Sequence, residues 1–331
     1  MLRLPRFRYF TPASLDEAAD MLTHEGAGAG GSVRLVAGGT DLWPNMKRRH
    51  QMADSVISLM HVPGMSGISF GDGGELRIGA TTTLRAIESD AMVRARFPAL
   101  AAAIESISTP VLRNMGTIGG NLCLDTRCTY YNQNEEWRRA IGYCMKSEGA
   151  VCWVAPSSPR CWAIAASDSA PMLIALGARV RLVSGDGDRV IPLSSLYEND
   201  GIDYLAKRPD EVLTDVIVPS EADADHCRAG WFKLRRRGSI DFAVASVAAA
   251  VRTSAAGIVE SAEIVLGAVA SWPAKIEATA LVGKRLGDDA AIDEVARAAR
   301  KVATPLDNTD FNVVWRSQMV ERITAKVLRG L

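Results

Sequence analysis

At 331 residues the chain is longer than one hydrophobic core comfortably fills, a limit near ~250–300 residues, so two packed domains are expected. Apolar residues at 48% and charged residues at 23% exclude a disordered chain, and no apolar run is long enough to cross a bilayer. Lys and Arg (38) balance Asp and Glu (38), so charge points to neither nucleic acid nor a membrane, and the basic N-terminus leads into no signal-like segment. A cytoplasmic protein is expected.

In chain order, Ser14 ahead of Asp16, Glu17, Ala18, Ala19, Met21 and Leu22 predicts a capped amphipathic helix, broken by the GAGAGG of residues 26–31. Val33–Val36 reads as a short strand running directly into Gly38-Gly39. Strands follow at 55–59 and 76–80, then helices after Thr83 and at 99–106, before a second glycine pair, Gly119-Gly120. Residues 179–193 read as a hairpin turning on SGDGD. From about Asp223 the texture changes to a strand at FKLR (232–235), an apolar FAVASVAAAV, AEIVLGAVA (262–270) and two helices. In the last helix Met319, Val320, Ile323 and Val327 share a face. The reading is α+β, with a boundary in residues 219–225 that divides 1–222 from 223–331.

Each glycine pair sits where a backbone without Cβ atoms can approach a bulky anion with its N–H groups pointing outward, which suits a pyrophosphate. Neither fits the GxGxxG pattern of nicotinamide-binding folds. One pair alone reads as an ordinary tight turn. Together, LVAGGTDL (35–42) and TIGGNL (117–122) resemble the two FAD-embracing motifs of the flavin subunits of molybdenum hydroxylases, the xanthine oxidase family. SDSAPMLIALGA (167–178), RVIPL (189–193), DEVLTDVIVP (210–219) and FKLRRRGSIDFA (232–243) extend that resemblance in order along the chain.

The resemblance implies a two-part FAD-binding domain followed by a smaller α+β domain of antiparallel sheet and helices. By position it carries the FAD contacts to Leu35, Val36, Ala37, Gly38, Gly39, Thr40, Asp41 and Leu42, and to Thr117, Ile118, Gly119, Gly120 and Asn121. It further implies Ile107 on the adenine side, Asp168 on the ribitol or adenosine region, and Val212, Leu213 and Lys233 lining the cofactor. Read without the resemblance, Asp168 is equally a helix cap and Lys233 a solvated strand residue.

Relative to the family an insertion, about residues 124–165, separates Asn121 from Asp168, and it holds Cys128, Cys144, Cys152 and Cys161. Their spacing matches neither CxxC zinc patterns nor the tight cysteine run of ferredoxins, so spacing leaves the metal open. A loop without its own core needs a staple, and four thiolates supply one. The loop resembles that of the flavin subunit of 4-hydroxybenzoyl-CoA reductase, which implies a 4Fe-4S cluster; structural zinc is the alternative. Cys123 and Cys227 read as small buried residues, and Trp137, Tyr143, Trp153 and Trp162 as packing for the loop. With both feet beside the flavin motifs, the loop body is expected to extend toward solvent. Losing its cysteines is expected to leave FAD bound, because the glycine turns lie outside it.

The resemblance implies an electron-transfer subunit with no catalytic residue of its own. A low-potential donor such as ferredoxin would reduce the 4Fe-4S cluster and then FAD, which passes electrons to a 2Fe-2S small subunit and a molybdenum-cofactor large subunit that reduces an aryl-CoA. A dimer of heterotrimers is implied. The alternative reverses the flow: a hydroxylase subunit delivering electrons to NAD or another acceptor. The histidines, at 24, 50, 61 and 226, form no catalytic constellation.

Overall fold

The computed structural model describes residues 2–27, 32–220, 226–309 and 311–331. Most of the GAGAGG segment and the expected 222/223 boundary therefore lie outside the described residues.

The chain opens with β1 (Arg8–Phe10) and α1 (Leu15–Ala27). Ser14 Oγ accepts the N–H of Glu17 at 3.1 Å and the Glu17 carboxylate takes the N–H of Ala13 at 2.6 Å, a reciprocal cap that fixes where the helix starts. β2 (Val33–Val36), α2 (Leu42–Lys47) and β3 (Ser55–Ser58) follow, and the three strands form a parallel sheet in the order β1-β3-β2. β3 is buried along its length, as the central strand of a parallel sheet should be.

β4 (Ile68–Phe70) and β5 (Leu76–Gly79) begin a second sheet, which β6 (Arg179–Ser184), β7 (Gly187–Pro192) and β8 (Val212–Val218) complete in the antiparallel order β4-β5-β8-β6-β7. The short helices α3 (Leu84–Ser89), α4 (Ala91–Arg96), α5 (Pro98–Glu105), α6 (Pro110–Arg113) and α7 (Ile118–Leu122) lie between β5 and the insertion. Inside the insertion the one helix among the described residues is α8 (Glu135–Ala140), and beyond it comes the wholly buried α9 (Ser169–Ala175).

The third sheet is antiparallel, β12-β11-β10-β9, from β9 (Cys227–Leu234), β10 (Ala245–Thr253), β11 (Val259–Gly267) and β12 (Ala274–Ile276). β9 starts earlier than FKLR indicated because Cys227–Gly230 pair with β10 over its whole length. Alternate residues of β10 enter different cores: Ala248 and Ala250 join the core of the first part, while Val247, Ala249 and Val251 pack with α10 (Asp289–Val302) and α11 (Val313–Arg329). That explains the uninterrupted run of small apolar residues in FAVASVAAAV, since a strand covered on both faces has no polar side. Val320, Ile323 and Val327 of α11 are buried against this sheet, with Met319 beside them.

The feet of the insertion are zipped together. Arg127 and Ile164 exchange two backbone hydrogen bonds, at 2.9 and 2.8 Å, and Ala165 N–H donates to Ala270 O at 3.0 Å. The body does not stand off into solvent as expected. Arg138, buried on α8, donates to the carbonyls of Arg48 and Arg49 at the end of α2, the Tyr131 hydroxyl donates to His50 O, and Thr129 N–H donates to Asn308 O at 3.0 Å.

Candidate functional site

The two glycine motifs meet. A Cβ on Gly38 would stand 1.7 Å from the Met115 carbonyl oxygen, so absence of a side chain is what lets β2's exit pack on the turn before α7. Gly39 has φ of 68°, a left-handed conformation that favours glycine, and a Cβ there would strike the Trp43 indole. Thr117 caps α7 by accepting the N–H of Gly120 at 3.2 Å, and Gly119 N–H donates to Ala80 O at 2.9 Å. Gly119 thus faces the core, where its Cβ would meet Ala80 at 2.8 Å, whereas Gly120 faces open space apart from Thr117 Oγ1.

Around these turns lies a cavity of about 550 Å³, within the range of ligand pockets. Of the residues named from the sequence, Leu35 to Leu42, Ile107, Thr117, Gly119, Gly120, Asn121, Asp168 and Leu213 line it. Ile118 and Val212 are buried in the core behind it, and Lys233 reaches it only through Asp168. Among the described residues, the N–H groups of Gly38, Gly39, Thr40 and Asp41 donate to no other protein group, which leaves a row of donors at the cavity wall. Backbone donors in such a row can receive an anionic group.

Asp168 does not cap α9. Its carboxylate pairs with Lys233 Nζ at 2.7 Å, both side chains being buried, while Ser167 Oγ takes the capping role by accepting Ala170 N–H at 3.2 Å. Burial pushes the Asp168 carboxyl above its ordinary value, and the Lys233 ammonium opposes that shift. The Lys233 side chain is accordingly an internal cation, which also donates to Ser106 O at 3.0 Å, and not a solvated strand lysine. The Asn121 side-chain oxygen accepts from Ser167 Oγ at 2.9 Å and Ser169 Oγ at 2.6 Å, joining the second glycine turn to the segment after the insertion.

Several lining residues were not apparent from the sequence. Arg127 pairs with Asp41, whose carboxyl is raised by burial and pulled back by that guanidinium, and Arg127 also stands 4.9 Å over the Phe242 ring. Asp125, Tyr204, Lys207 and Asp241 line the same cavity. At the rim Ile240 is half exposed with φ of 50°, a costly conformation for a β-branched residue, held by its N–H donating to Ser108 O at 2.9 Å. Cys123, read as a packing residue, is half-buried and lines the cavity, and burial raises its thiol pKa.

Cys128, Cys144, Cys152 and Cys161 are all buried free thiols, and they line one small second cavity together with Tyr131, Lys146 and Trp153. Among the described residues no three His, Cys, Asp or Glu side chains converge closely enough to hold a single metal ion. Burial pushes the Cys128 thiol up to about 12 and the Cys161 thiol to about 11, and raises Cys144 as well, so a metal taking these ligands must displace their protons. Lys146 lowers both Cys144 and Cys161 against that trend. Of the loop aromatics, Trp162 lies under the Arg160 guanidinium at 3.5 Å, while Trp137 and Trp153 are partly exposed.

Residues 5–221 match the family described as the FAD binding domain in molybdopterin dehydrogenase, and residues 231–331 match the CO dehydrogenase flavoprotein C-terminal domain. The carbon monoxide dehydrogenase medium chain of Hydrogenophaga pseudoflava is 28% identical over 325 residues, 96% of each chain. The aldehyde oxidoreductase FAD-binding subunit PaoB of Escherichia coli is 31% identical over 258 residues, 74% of this chain and 77% of that one. The structure of carbon monoxide dehydrogenase from H. pseudoflava lacking the Mo-pyranopterin moiety superimposes with a TM-score of 0.79 at 26% identity, covering 98% of this chain and 97% of that one. No helix among the described residues is long and apolar enough to cross a membrane. With both halves matched and the cavity formed by its two glycine turns, this chain belongs to the FAD-binding medium subunits of the molybdenum hydroxylase family.

Proposed function

We propose that the chain carries FAD in a molybdenum hydroxylase complex and passes electrons outward, from a substrate oxidised in a molybdenum-containing large subunit, through a 2Fe-2S small subunit and FAD, to NAD or another acceptor. Residues 1–222 form its FAD-binding part and 223–331 its C-terminal α+β part. The observation that carries this reading is the cavity where both glycine turns, Asp168 and Leu213 come together in a chain matched to the family along its length. The relative that aligns over 96% of each chain is named a dehydrogenase, which supports outward flow.

FAD supplies two-electron and one-electron redox chemistry in one group. The free N–H groups of Gly38 to Asp41 would hold its pyrophosphate, and Gly120 would leave room for the approach. The Lys233–Asp168 pair orders the wall between α9 and β9. None of these residues needs to exchange a proton with substrate.

The four loop thiols are proposed to hold a 4Fe-4S cluster. Four buried thiols lining one small cavity supply the ligand set that a 4Fe-4S cluster takes, and equally the set that a structural zinc takes. That arrangement beside the flavin wall favours a second reading, in which a ferredoxin-like donor reduces the cluster and electrons run inward to an aryl-CoA reductase of the 4-hydroxybenzoyl-CoA type.

The test is a metal and flavin analysis of the purified complex, followed by anaerobic mixing with each candidate donor and acceptor. Flavin with iron and labile sulfide, and flavin oxidised by NAD or a dye after substrate addition, is the expected result. Zinc in place of iron removes the cluster. Turnover with reduced ferredoxin and an aryl-CoA, with no substrate-driven flavin reduction, replaces outward flow by the second reading.

A further inference from the structure

We propose that the inserted loop forms one wall of the FAD cavity, and that Lys146 is the positioning residue tying the four-thiolate centre to it, so that metal loading and FAD binding strengthen each other. The inference rests on the reading that the thiols bind a metal, whether cluster or zinc.

The two cavities share a partition. Asp125 and Tyr204 line the flavin side, Tyr131 lines the thiol side, and the Lys146 ammonium lies between the two tyrosine rings at 5.3 and 5.1 Å from their centroids. Its Nζ donates to Asp125 Oδ1 at 2.7 Å, Thr126 Oγ1 at 2.7 Å and Gly201 O at 2.5 Å, and it is almost wholly buried. A buried ammonium satisfied by three acceptors in one wall fixes all three. Asp125 accepts a second bond at 2.8 Å from Gln51, itself on the flavin cavity, so the carboxylate is held from both sides.

The thiol side reaches the same atoms. Gly201 N–H donates to Cys161 O at 3.0 Å, and a Cβ on Gly201 would stand 2.6 Å from Cys161 Sγ, so a shift of Cys161 moves the carbonyl that Lys146 and Thr126 share. One residue before Cys128, Arg127 pairs with Asp41 in the first glycine turn. The apolar cluster inside the loop consists of Cys128, Cys144 and Cys161 themselves with Tyr131 and Ala163, backed by the partly buried Tyr130, Met145 and Val154, so a metal joining the sulfurs would tighten the wall from within that cluster. This reverses the expectation that loss of the cysteines leaves FAD binding intact. It also makes the coupling reciprocal, because each ligand favours the ordered wall.

The experiment titrates the full chain, purified with its metal, with FAD by flavin fluorescence before and after chelation. Stripping should weaken FAD binding about tenfold or more, within the usual span of coupling between two sites. Lys146→Met with its metal retained should show a similar weakening that chelation then barely increases, the non-additivity expected of residues acting in one network. In wild type, saturating FAD should slow metal loss to the chelator by a matching factor, a measurement that decides the matter even if Lys146→Met does not fold. Unchanged FAD affinity on stripping overturns the coupling while leaving the metal reading intact. Additive losses in the stripped variant overturn the role of Lys146. A folded wild-type chain without metal overturns both the metal reading and the coupling.

Discussion

Gly38 and Gly120 belong to the same pair of flavin turns, yet they are glycines for different reasons. At Gly38 a methyl group would fall on the Met115 carbonyl oxygen, inside the protein, so Gly38→Ala should destabilise the fold by about 1–3 kcal/mol or more, seen as a lowered urea midpoint. At Gly120 a side chain would meet only Thr117 Oγ1 and then the cavity, so Gly120→Val should keep the midpoint close to wild type while FAD binding falls sharply. A Gly120→Val chain that stays yellow would remove the pyrophosphate from this turn. The glycine pairs were legible in the sequence as places where a backbone comes close to something. What that something is depends on Ala80 and Met115, which arrive from other elements, and no local pattern encodes them. Asp168 shows the same limit: its place ahead of Ala170-Pro171 reads as a cap, but the nearest cation, Lys233, comes from a distant strand and wins the carboxylate.

Among the elements, α11 was the most readable and still held a surprise. Its apolar face followed from the spacing of Met319, Val320, Ile323 and Val327, and helical periodicity places Arg316 on that face as well. An arginine there reads as solvent-facing, yet Arg316 is fully buried, and burial lowers its pKa to about 10. Its guanidinium donates to Val244 O at 3.2 Å, Leu306 O at 3.0 Å, Asn308 Oδ1 at 3.2 Å and Ala268 O at 2.6 Å, all from turns that sequence periodicity cannot bring together. Asn308 in turn donates to Trp162 O at 2.8 Å inside the insertion. Arg316→Met should therefore cost about 2–5 kcal/mol, since it leaves several buried acceptors unpaired, and it should speed proteolysis within residues 124–165. A stability loss below about 1 kcal/mol with an unchanged digestion pattern would show that these acceptors find other partners. The insertion itself was visible through its cysteines, but its docking on α2 and on Asn308 was not, because those contacts are made largely by backbone carbonyls.

For the whole molecule, the α+β class, the family and the longer elements were legible, since they rest on hydrophobic periodicity and on motifs in sequence order, whereas short elements such as β1, α2, β4, α8 and β12 carry too few residues to show a period. The change of texture near residue 223 indicated two parts, but it did not show how closely they are joined. β10 gives Ala248 and Ala250 to one core and Val247, Ala249 and Val251 to the other, while Trp231 of β9 packs on the first core as well. A strand divided in this way leaves no seam along which one half can melt and leave the other standing. The chain should therefore absorb heat in a single calorimetric transition whose enthalpy equals the van't Hoff value, and a fragment ending near residue 220 should expose the apolar face left by β10 and aggregate. Two resolved transitions would mean that each core survives alone. If there is one, any thermal loss of the C-terminal helices will also release the flavin, although those helices never touch its cavity.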